Sequence, residues 1–366
     1  VVRSSYRGEN WEEISPDLTK NDEQKAGGTG NIQYGTITTF EESPLNPNEL
    51  WVGTDDGNVQ VTRDGGDNWT LLNANIPNNP EYWVTRVEAS AHNPGTAYVA
   101  FNGMRRDDFS AFLYKTTDWG KTWTSIANGI PDGAVNVIRE DHKNPNLLFV
   151  GTELGTFASI DGGKNWTKFM TDMPTNPAYD MVIHPRENEL VVATHGRGIF
   201  IADISPLQGM TQQAMNATVA LFDIQPAVQY MSGLSNVTAS TNMNGESRQP
   251  GTHIHFHAKA AGKANLKIYR GAKEIYKTTM DAEAGLNSMN WRFVEITGER
   301  SQEELEQMTS RFRRFGWDDA QINARMDQMR YETASVGPGT YKVEITMNGH
   351  TVSKEAIVMK DYWSMK

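Results

Sequence analysis

Thr62-Arg63-Asp64-Gly65-Gly66-Asp67-Asn68-Trp69 recurs as Thr116-Thr117-Asp118-Trp119-Gly120-Lys121-Thr122-Trp123 and again as Ser159-Ile160-Asp161-Gly162-Gly163-Lys164-Asn165-Trp166. All three read Ser/Thr-x-Asp-x-Gly-x-x-Trp. A worn copy, Ser4-Ser5-Tyr6-Arg7-Gly8-Glu9-Asn10-Trp11, has Tyr6 in place of the Asp. A spacing of roughly fifty residues marks a repeat architecture. The motif predicts a turn with a defined mechanism. The carboxylates of Asp64, Asp118 and Asp161 accept hydrogen bonds from their own turn, and the hydroxyl residue supports it. Gly66, Gly120 and Gly163 supply positive φ. Trp69, Trp123 and Trp166 open the next strand and pack beneath the turn. Three unrelated Asp-Gly hairpins would be the other reading, but a second repeat in register argues against it.

That second repeat is Asn46-Pro47-Asn48-Glu49-Leu50-Trp51-Val52-Gly53-Thr54, followed by Asn93-Pro94 through Phe101, Asn144-Pro145 through Thr152 and, more loosely, His184-Pro185 through Thr194. Asn-Pro marks a turn, and the apolar run after it reads as a buried strand. Each unit is then four short strands, at residues 34–40, 50–54, 59–62 and 69–72 in the first. That is the pattern of a propeller blade.

The octapeptide resembles the Asp-box, or bacterial neuraminidase repeat. In sialidases, two-propeller glucanases and sortilin-type receptors that motif joins the third and fourth strands of a blade. The run Glu189-Leu190-Val191-Val192-Ala193-Thr194-His195-Gly196-Arg197-Gly198-Ile199-Phe200-Ile201-Ala202-Asp203-Ile204 resembles the propeller ending of large secreted sortilin-like proteins of Bacteroidetes, often labelled glycosyl hydrolase. The resemblance covers residues 1–230 best. It implies an Asp-box propeller followed by a small immunoglobulin-like sandwich, and it is more specific for fold than for function.

Strand counting shapes the domain reading. Residues 1–5 read as a third strand and 11–14 as the fourth strand of the same blade. Three complete blades follow. The last unit, 179–204, supplies first, second and third strands without a turn motif. Residues 1–204 are therefore expected to be about four blades plus an incoming strand, the C-terminal part of a larger propeller. Residues 205–250 read as a connector. Residues 251–366 read as the sandwich, with strands near 253–257, 264–270, 274–279, 289–296, 337–345 and 351–359. A helical insertion at about 301–332 interrupts it. There Ser301 and Glu304 form a capping box, and Leu305, Met308, Phe312 and Phe315 line one helix face. Gly316 breaks that helix, and Asp318 caps a second one carrying Ile322, Met326 and Met329.

The 366 residues carry a net charge of −11, which argues against a nucleic-acid partner. No apolar stretch approaches the roughly 20 residues of a membrane span. There is no cysteine, so a disulfide framework and a thiolate metal site are both out. These features suit a secreted, periplasmic or outer-membrane-associated protein.

In a propeller the second-to-third and fourth-to-first connections share one face, opposite the Asp-turns. The ligand-face candidates are therefore Asp55, Asp56, Arg105, Arg106, Glu153, His195 and Arg197, with Asp107 and Asp108 beside them. Carboxylates around a pore mouth suit glycosidase acid and base roles, or they are solvated turn residues. No pair can be assigned, and the sialidase arginine triad is not recognisable, so no catalytic residue is named. His253, His255 and His257 alternate along one strand and share a face. With no further ligand cluster nearby, neither a metal nor another cofactor is expected. The expected function is a non-catalytic binding module for protein, peptide or glycan, partnered by the remaining N-terminal part of the propeller. A glycoside hydrolase with catalytic residues partly elsewhere is the alternative. A structural subunit of a cell-surface assembly is the third reading.

Overall fold

The computed structural model describes residues 1–22, 34–229, 251–319, 321–322 and 329–361. They form two compact units, Val1–Thr211 and Gln212–Lys366. The division falls seven residues beyond the expected end of the blades.

The first unit is a series of antiparallel meanders. Strands β1 (Val2–Arg3) and β2 (Glu12–Glu13) form a two-stranded ribbon. Blade 1 is β3 (Ile37–Ser43), β4 (Asn46–Thr54), β5 (Val59–Thr62) and β6 (Trp69–Leu71). Blade 2 is β7 (Trp83–Ala89), β8 (Ala97–Asn102), β9 (Phe112–Thr116) and β10 (Thr124–Ser125). Blade 3 is β11 (Val135–Glu140), β12 (Leu148–Thr152), β13 (Gly155–Ser159) and β14 (Thr167–Phe169). Blade 4 has only β15 (Ala178–His184), β16 (Glu189–Thr194) and β17 (Ile199–Asp203). The expected four-strand blades and the three-strand last unit are both present.

Blades 2 and 3 are covered on both faces, which explains why their second strands are continuous apolar runs instead of alternating ones. Along β8, Val99 and Phe101 join Trp51, Val59 and Val61 of blade 1 in one core. Tyr98 and Ala100 point the other way, into a core with Val135, Ile138 and Val150 of blade 3. A third core joins Val137 and Phe149 to Met181, Leu190 and Val192 of blade 4. Glycine in a strand usually weakens it, but here it makes room for the next blade. A Cβ on Gly53 would lie 2.3 Å from Val84 Cγ1, and one on Gly151 2.6 Å from the Ala178 carbonyl oxygen.

The three turn motifs share one hydrogen-bond pattern. Asp64 Oδ1 accepts from the Asn68 amide (2.9 Å), Asp118 Oδ1 from Thr122 (2.9 Å) and Asp161 Oδ1 from Asn165 (3.0 Å). The hydroxyls of Thr62, Thr116 and Ser159 accept from the amides of Gly66, Gly120 and Gly163. These glycines have φ of 113°, 78° and 91°. A Cβ on each would also meet the residue just after the preceding fourth strand: Ile14, Leu72 and Ile126 respectively. The motif therefore joins blades as well as strands. The indoles of Trp69 and Trp166 extend the join by donating to the carbonyls of Ile14 and Ile126. In the worn copy Gly8 keeps its bond to Ser4 Oγ, but no carboxylate is present and Trp11 is exposed.

These bonds hold the carboxylates below the usual range. The Asn68 side chain and amide bring Asp64 to about 2, and the Thr122 amide and hydroxyl lower Asp118. For Asp161, burial pulls upward but the bonds from Asn165 outweigh it. A depressed folded pKa contributes stability that is complete above the unfolded value of about 4 and is lost as pH falls through the folded value. These three carboxylates should therefore make thermal stability fall steeply between about pH 4 and 2. Asp118→Asn should make that fall shallower; an unchanged acid limb in the variant would refute this origin for it.

A charged cluster lies on the inner strands. Arg86 pairs with Asp180 at 2.6 Å, two blades away. Arg139 donates to Glu88 and, through Nε, to the Met181 carbonyl at 2.7 Å. Burial pushes Glu88 up to about 7 against the opposing pull of Arg139, and burial also raises Glu41.

In the second unit one sheet is ordered β18 (Val219–Leu221), β20 (Thr252–Ala258), β23 (Gly285–Trp291). The other is ordered β19 (Ala227–Gln229), β27 (His350–Lys360), β26 (Gly339–Met347), β21 (Gly262–Arg270), β22 (Lys273–Ala282). Ile254, Phe256, Leu266, Ile268, Trp291, Tyr341, Val343 and Val358 share the core of this sandwich. Strands β18 and β19 lie within the stretch that reads as a connector. Their few apolar residues find cross-strand partners beyond residue 250, which local pattern does not reveal. The expected single strand 289–296 is two. Phe293 takes φ 57° and turns the chain from β23 into β24 (Val294–Glu299), which pairs with β25 (Tyr331–Ser335).

The helix α3 (Gln302–Arg314; α1 is Ser205–Gln208 and α2 Gln212–Asn216) has the expected Ser301/Glu304 capping box. Its apolar stripe is less covered than expected. No residue of α3 is buried, Phe315 is exposed, and Phe312 stacks on Trp317 with centroids 4.9 Å apart. Asp318 caps the next turn by accepting from the Gln321 amide, and Ile322 is buried. Met326 lies outside the described residues.

Candidate ligand-binding face

The loop residues singled out from sequence divide into two groups. In the first group, side chains are used to hold the chain. Asp55 accepts from the Gly35 amide (3.0 Å), the Thr36 amide (2.8 Å) and the Thr36 hydroxyl (3.1 Å). Asp56 is 1% exposed and accepts from the Lys20 amide at 2.6 Å and from Thr54 Oγ1. Both therefore act as turn supports, and a ligand at the surface does not reach Asp56. Arg105 lies 4.7 Å over the Trp83 ring and Arg106 5.6 Å over Tyr82. The Tyr82 hydroxyl donates to Asp108 Oδ2 at 2.9 Å, which raises the phenol. Bonds from Ser110 lower Asp108. Asp107 takes the left-handed position (φ 58°) of the same loop.

The second group sits around a repeated irregularity. Every inner strand has a register shift just after its start: between Ile37 and Thr39, Val84 and Arg86, Val135 and Val137, Ala178 and Asp180. The residues at these bulges are Thr38, Thr85, Asn136 and Tyr179. A bulge re-aims a side chain, and bulges are enriched beside functional sites. In blades 1 and 2 the re-aimed hydroxyl bonds to the next blade: Thr38 to the Val84 carbonyl (2.7 Å) and Thr85 to the Val135 carbonyl (2.9 Å). Blades 3 and 4 depart from that role. Asn136 accepts from Asn102 Nδ2 and donates to Glu153 Oε1, both at 3.0 Å. Tyr179 is exposed and meets His195 edge to face, with centroids 5.2 Å apart. Burial and the nearby Glu153 charge raise its phenol.

Asn102, Asn136, Glu153, Tyr179 and His195 thus form a polar chain across blades 2 to 4. The Gly133 amide donates to the Phe109 carbonyl at 2.7 Å, and Gly133 faces the Leu154 side chain. This places exposed Phe109 and Leu154 beside the chain. Arg197 is exposed at the tip of the β16–β17 turn between two positive-φ glycines. Among the sequence candidates, then, Glu153 and His195 come together. Asn136 and Tyr179 were missed, although aligning the units shows Thr, Thr, Asn and Tyr at one position. An aromatic ring beside a carboxylate and an imidazole offers a stacking face and hydrogen-bond partners for a polyhydroxylated or peptide ligand, while the buried Asn136 amide orients the carboxylate.

The three histidines of β20 do not share one open face. His253 and His255 stack at 6.0 Å while His257 is buried. Among the described residues no group of three or more His, Cys, Asp or Glu is placed to hold a metal ion, and no helix is long and apolar enough to cross a membrane.

No protein-family model matches the chain. A probable oligoxyloglucan-reducing end-specific xyloglucanase of Neosartorya fischeri is 26% identical over 206 residues, covering 51% of this chain and 23% of the relative. Among solved structures, the GH74 xyloglucanase of Xanthomonas campestris matches at 17% identity and TM-score 0.42, over 55% of this chain and 33% of that one. The GH74 enzyme of Niastella koreensis matches at 16% and 0.39, over 53% and 30%. YCF48 from Cyanidioschyzon merolae matches at 21% and 0.33, over 45% and 55%. The chain spans less than a quarter of the curated relative's length.

Proposed function

We propose that this chain is a non-catalytic binding module of a secreted or cell-envelope Asp-box protein of the sortilin-like type, and that it takes a glycan across Tyr179, Glu153 and His195, with Asn136 holding Glu153 from beneath. The observation that carries this reading is the departure at the bulge positions. Two blades use a threonine there to bond the next blade, whereas blades 3 and 4 present an asparagine tied to a carboxylate and an exposed tyrosine. Against catalysis by this chain alone, Asp55, Asp56 and Asp108 are each engaged in supporting loops. Glycosidases need two carboxyl groups about 5–9.5 Å apart across the scissile bond.

The relative named above suggests the probe. Calorimetric titration with xyloglucan oligosaccharides should show binding. Tyr179→Ala should weaken it at least about tenfold, a loss of about 1.4 kcal/mol. Arg186→Ala, in the turn at the other end of blade 4, should leave it unchanged. No binding by xyloglucan or other β-glucans, with binding by an unstructured peptide instead, would move the ligand class to protein.

The second reading is a glycoside hydrolase whose acid pair is completed by residues outside this chain. It is favoured by the curated relative and by how little of it the chain spans. Turnover of xyloglucan by the 366-residue chain that disappears in Glu153→Gln would establish that reading and end the first.

A further inference from the structure

The four blades are related by register, so each position has internal counterparts whose surroundings say what normally covers it. Phe40, Val87, Ile138 and Met181 are equivalent, each opposite a valine of the second strand: Val52, Val99, Val150 and Val192. In blades 2 to 4 this residue packs on the preceding blade and is at most 1% exposed, whereas Phe40 is 44% exposed. On the other side, Val59, Leu113, Thr156 and Ile199 are equivalent, opposite Gly53, Ala100, Gly151 and Ala193. The first three are at most 1% exposed, whereas Ile199 is 69% exposed, with Ile201 and Val182 open beside it. Among the described residues, the two end faces of the series are therefore blade-packing faces without a blade packed on them.

The unpaired strand edges agree. In blades 1 to 3 the third strand carries a fourth: β6 on β5, β10 on β9, β14 on β13. In blade 4, β17 ends its sheet. Ala202 stands opposite Leu190, where Thr62 stands opposite Leu50 and Ser159 opposite Leu148. The hydroxyl that starts the turn is therefore missing, and Ser205-Pro206 starts α1 instead. At the other end, β1 and β2 occupy the place of third and fourth strands ahead of blade 1. Ile14 takes the same contact with Gly66 that Leu72 takes with Gly120 and Ile126 with Gly163. That ribbon covers the outer part of blade 1 and leaves its inner strand, with Phe40, open. A matching inner half is what the geometry lacks: two strands added to the free edge of β1, and one strand added to β17.

We propose that both end faces are covered by further blades of the same propeller, supplied by polypeptide N-terminal to β1 in a longer gene product. One of its strands adds to the edge of β17 as the missing fourth strand. This continues an interface the chain already makes three times, and it explains why apolar residues stand open at both ends and at equivalent positions. Left open, such edges template association with other chains.

Hydrogen exchange tests it on two samples, the 366-residue chain and the natural gene product. In the 366-residue chain, the outward amides of residues 199–202 and Val2–Arg3 should exchange far faster than those of Val59–Thr62, at any protein concentration. In the natural gene product, of larger mass, the same amides should slow by about 100-fold or more. Ile199→Asp should leave the melting temperature of the 366-residue chain within about a degree and lower that of the natural product by several degrees. Protection of both edges already present in the dilute 366-residue chain would overturn the proposal, because the ring or the second unit would then cover them. Protection that appears only with concentration and a dimer mass would overturn it in favour of a second copy. A natural product of the same 366 residues with open edges would overturn it outright. None of these readouts depends on ligand binding, so the fate of the glycan reading is decided separately.

Discussion

Trp123→Ala is expected to lower unfolding stability by about 3–5 kcal/mol, the range for truncating a buried aromatic. Trp123 is 7% exposed and lies in the core between blades 1 and 2. Its ring meets Trp51 edge to face at 6.3 Å, and its indole donates to the Gly120 carbonyl at 3.1 Å. Truncation therefore opens a cavity between two blades and removes one of the two side-chain hydrogen bonds to the Gly120 carbonyl, the other coming from Asn75 Nδ2 at 2.9 Å. The control is built into the repeat. Trp11 occupies the same motif position but is 65% exposed. Trp11→Ala should stay within about 0.5 kcal/mol. Urea denaturation of both variants decides it. Equal small losses would mean that motif position does not fix burial and that the blade register is misassigned.

Arg139→Met is the second large effect, and its size should depend on pH. Arg139 and Glu88 are both largely buried, and removing one member of such a pair costs about 3–5 kcal/mol when the other stays charged. Glu88 already sits at about 7 with Arg139 present, because burial outweighs the arginine, and without the guanidinium its pKa rises further. For a carboxyl raised in the folded state, stability falls as pH climbs from the unfolded value of about 4.5 through the folded pKa. The parent levels off above about 7 while the variant keeps falling. The loss should thus be about 1 kcal/mol at pH 6, from packing and the bond to the Met181 carbonyl, and about 3 kcal/mol near pH 8.5. The same loss at both pH values would show that Glu88 does not change charge in this range.

The loop acids illustrate why the site was harder to read than the fold. Asp55 and Asp56 look alike in sequence, next to each other in a turn. What distinguishes them is Gly35 and Thr36, about twenty residues back, and Lys20, thirty-six residues back, whose amides reach them only once the chain is folded. Tyr179 and Asn136 were visible as letters. Their importance depends on a bulge that turns Tyr179 outward and aims Asn136 at Asn102 of the preceding blade, and on a partner, His195 or Glu153, from the loop after the neighbouring strand.

By itself the sequence determined the turns, the strands between them and the count of blades. Those depend on interactions that close within a few residues: a carboxylate accepting from an amide four positions on, a glycine at positive φ, an apolar run between two turns. The Ser301/Glu304 cap of α3 was legible for the same reason. Only the tertiary structure decided which loop acids hold the chain, which histidine of β20 is buried, and that Arg86 reaches Asp180 two blades away. It also decided that residues 219–221 and 227–229 are strands of the sandwich, since their partners lie beyond residue 250 in sequence. Pairing over such distances follows from how the sheets stack, and a single strand carries no local record of the partner it will meet.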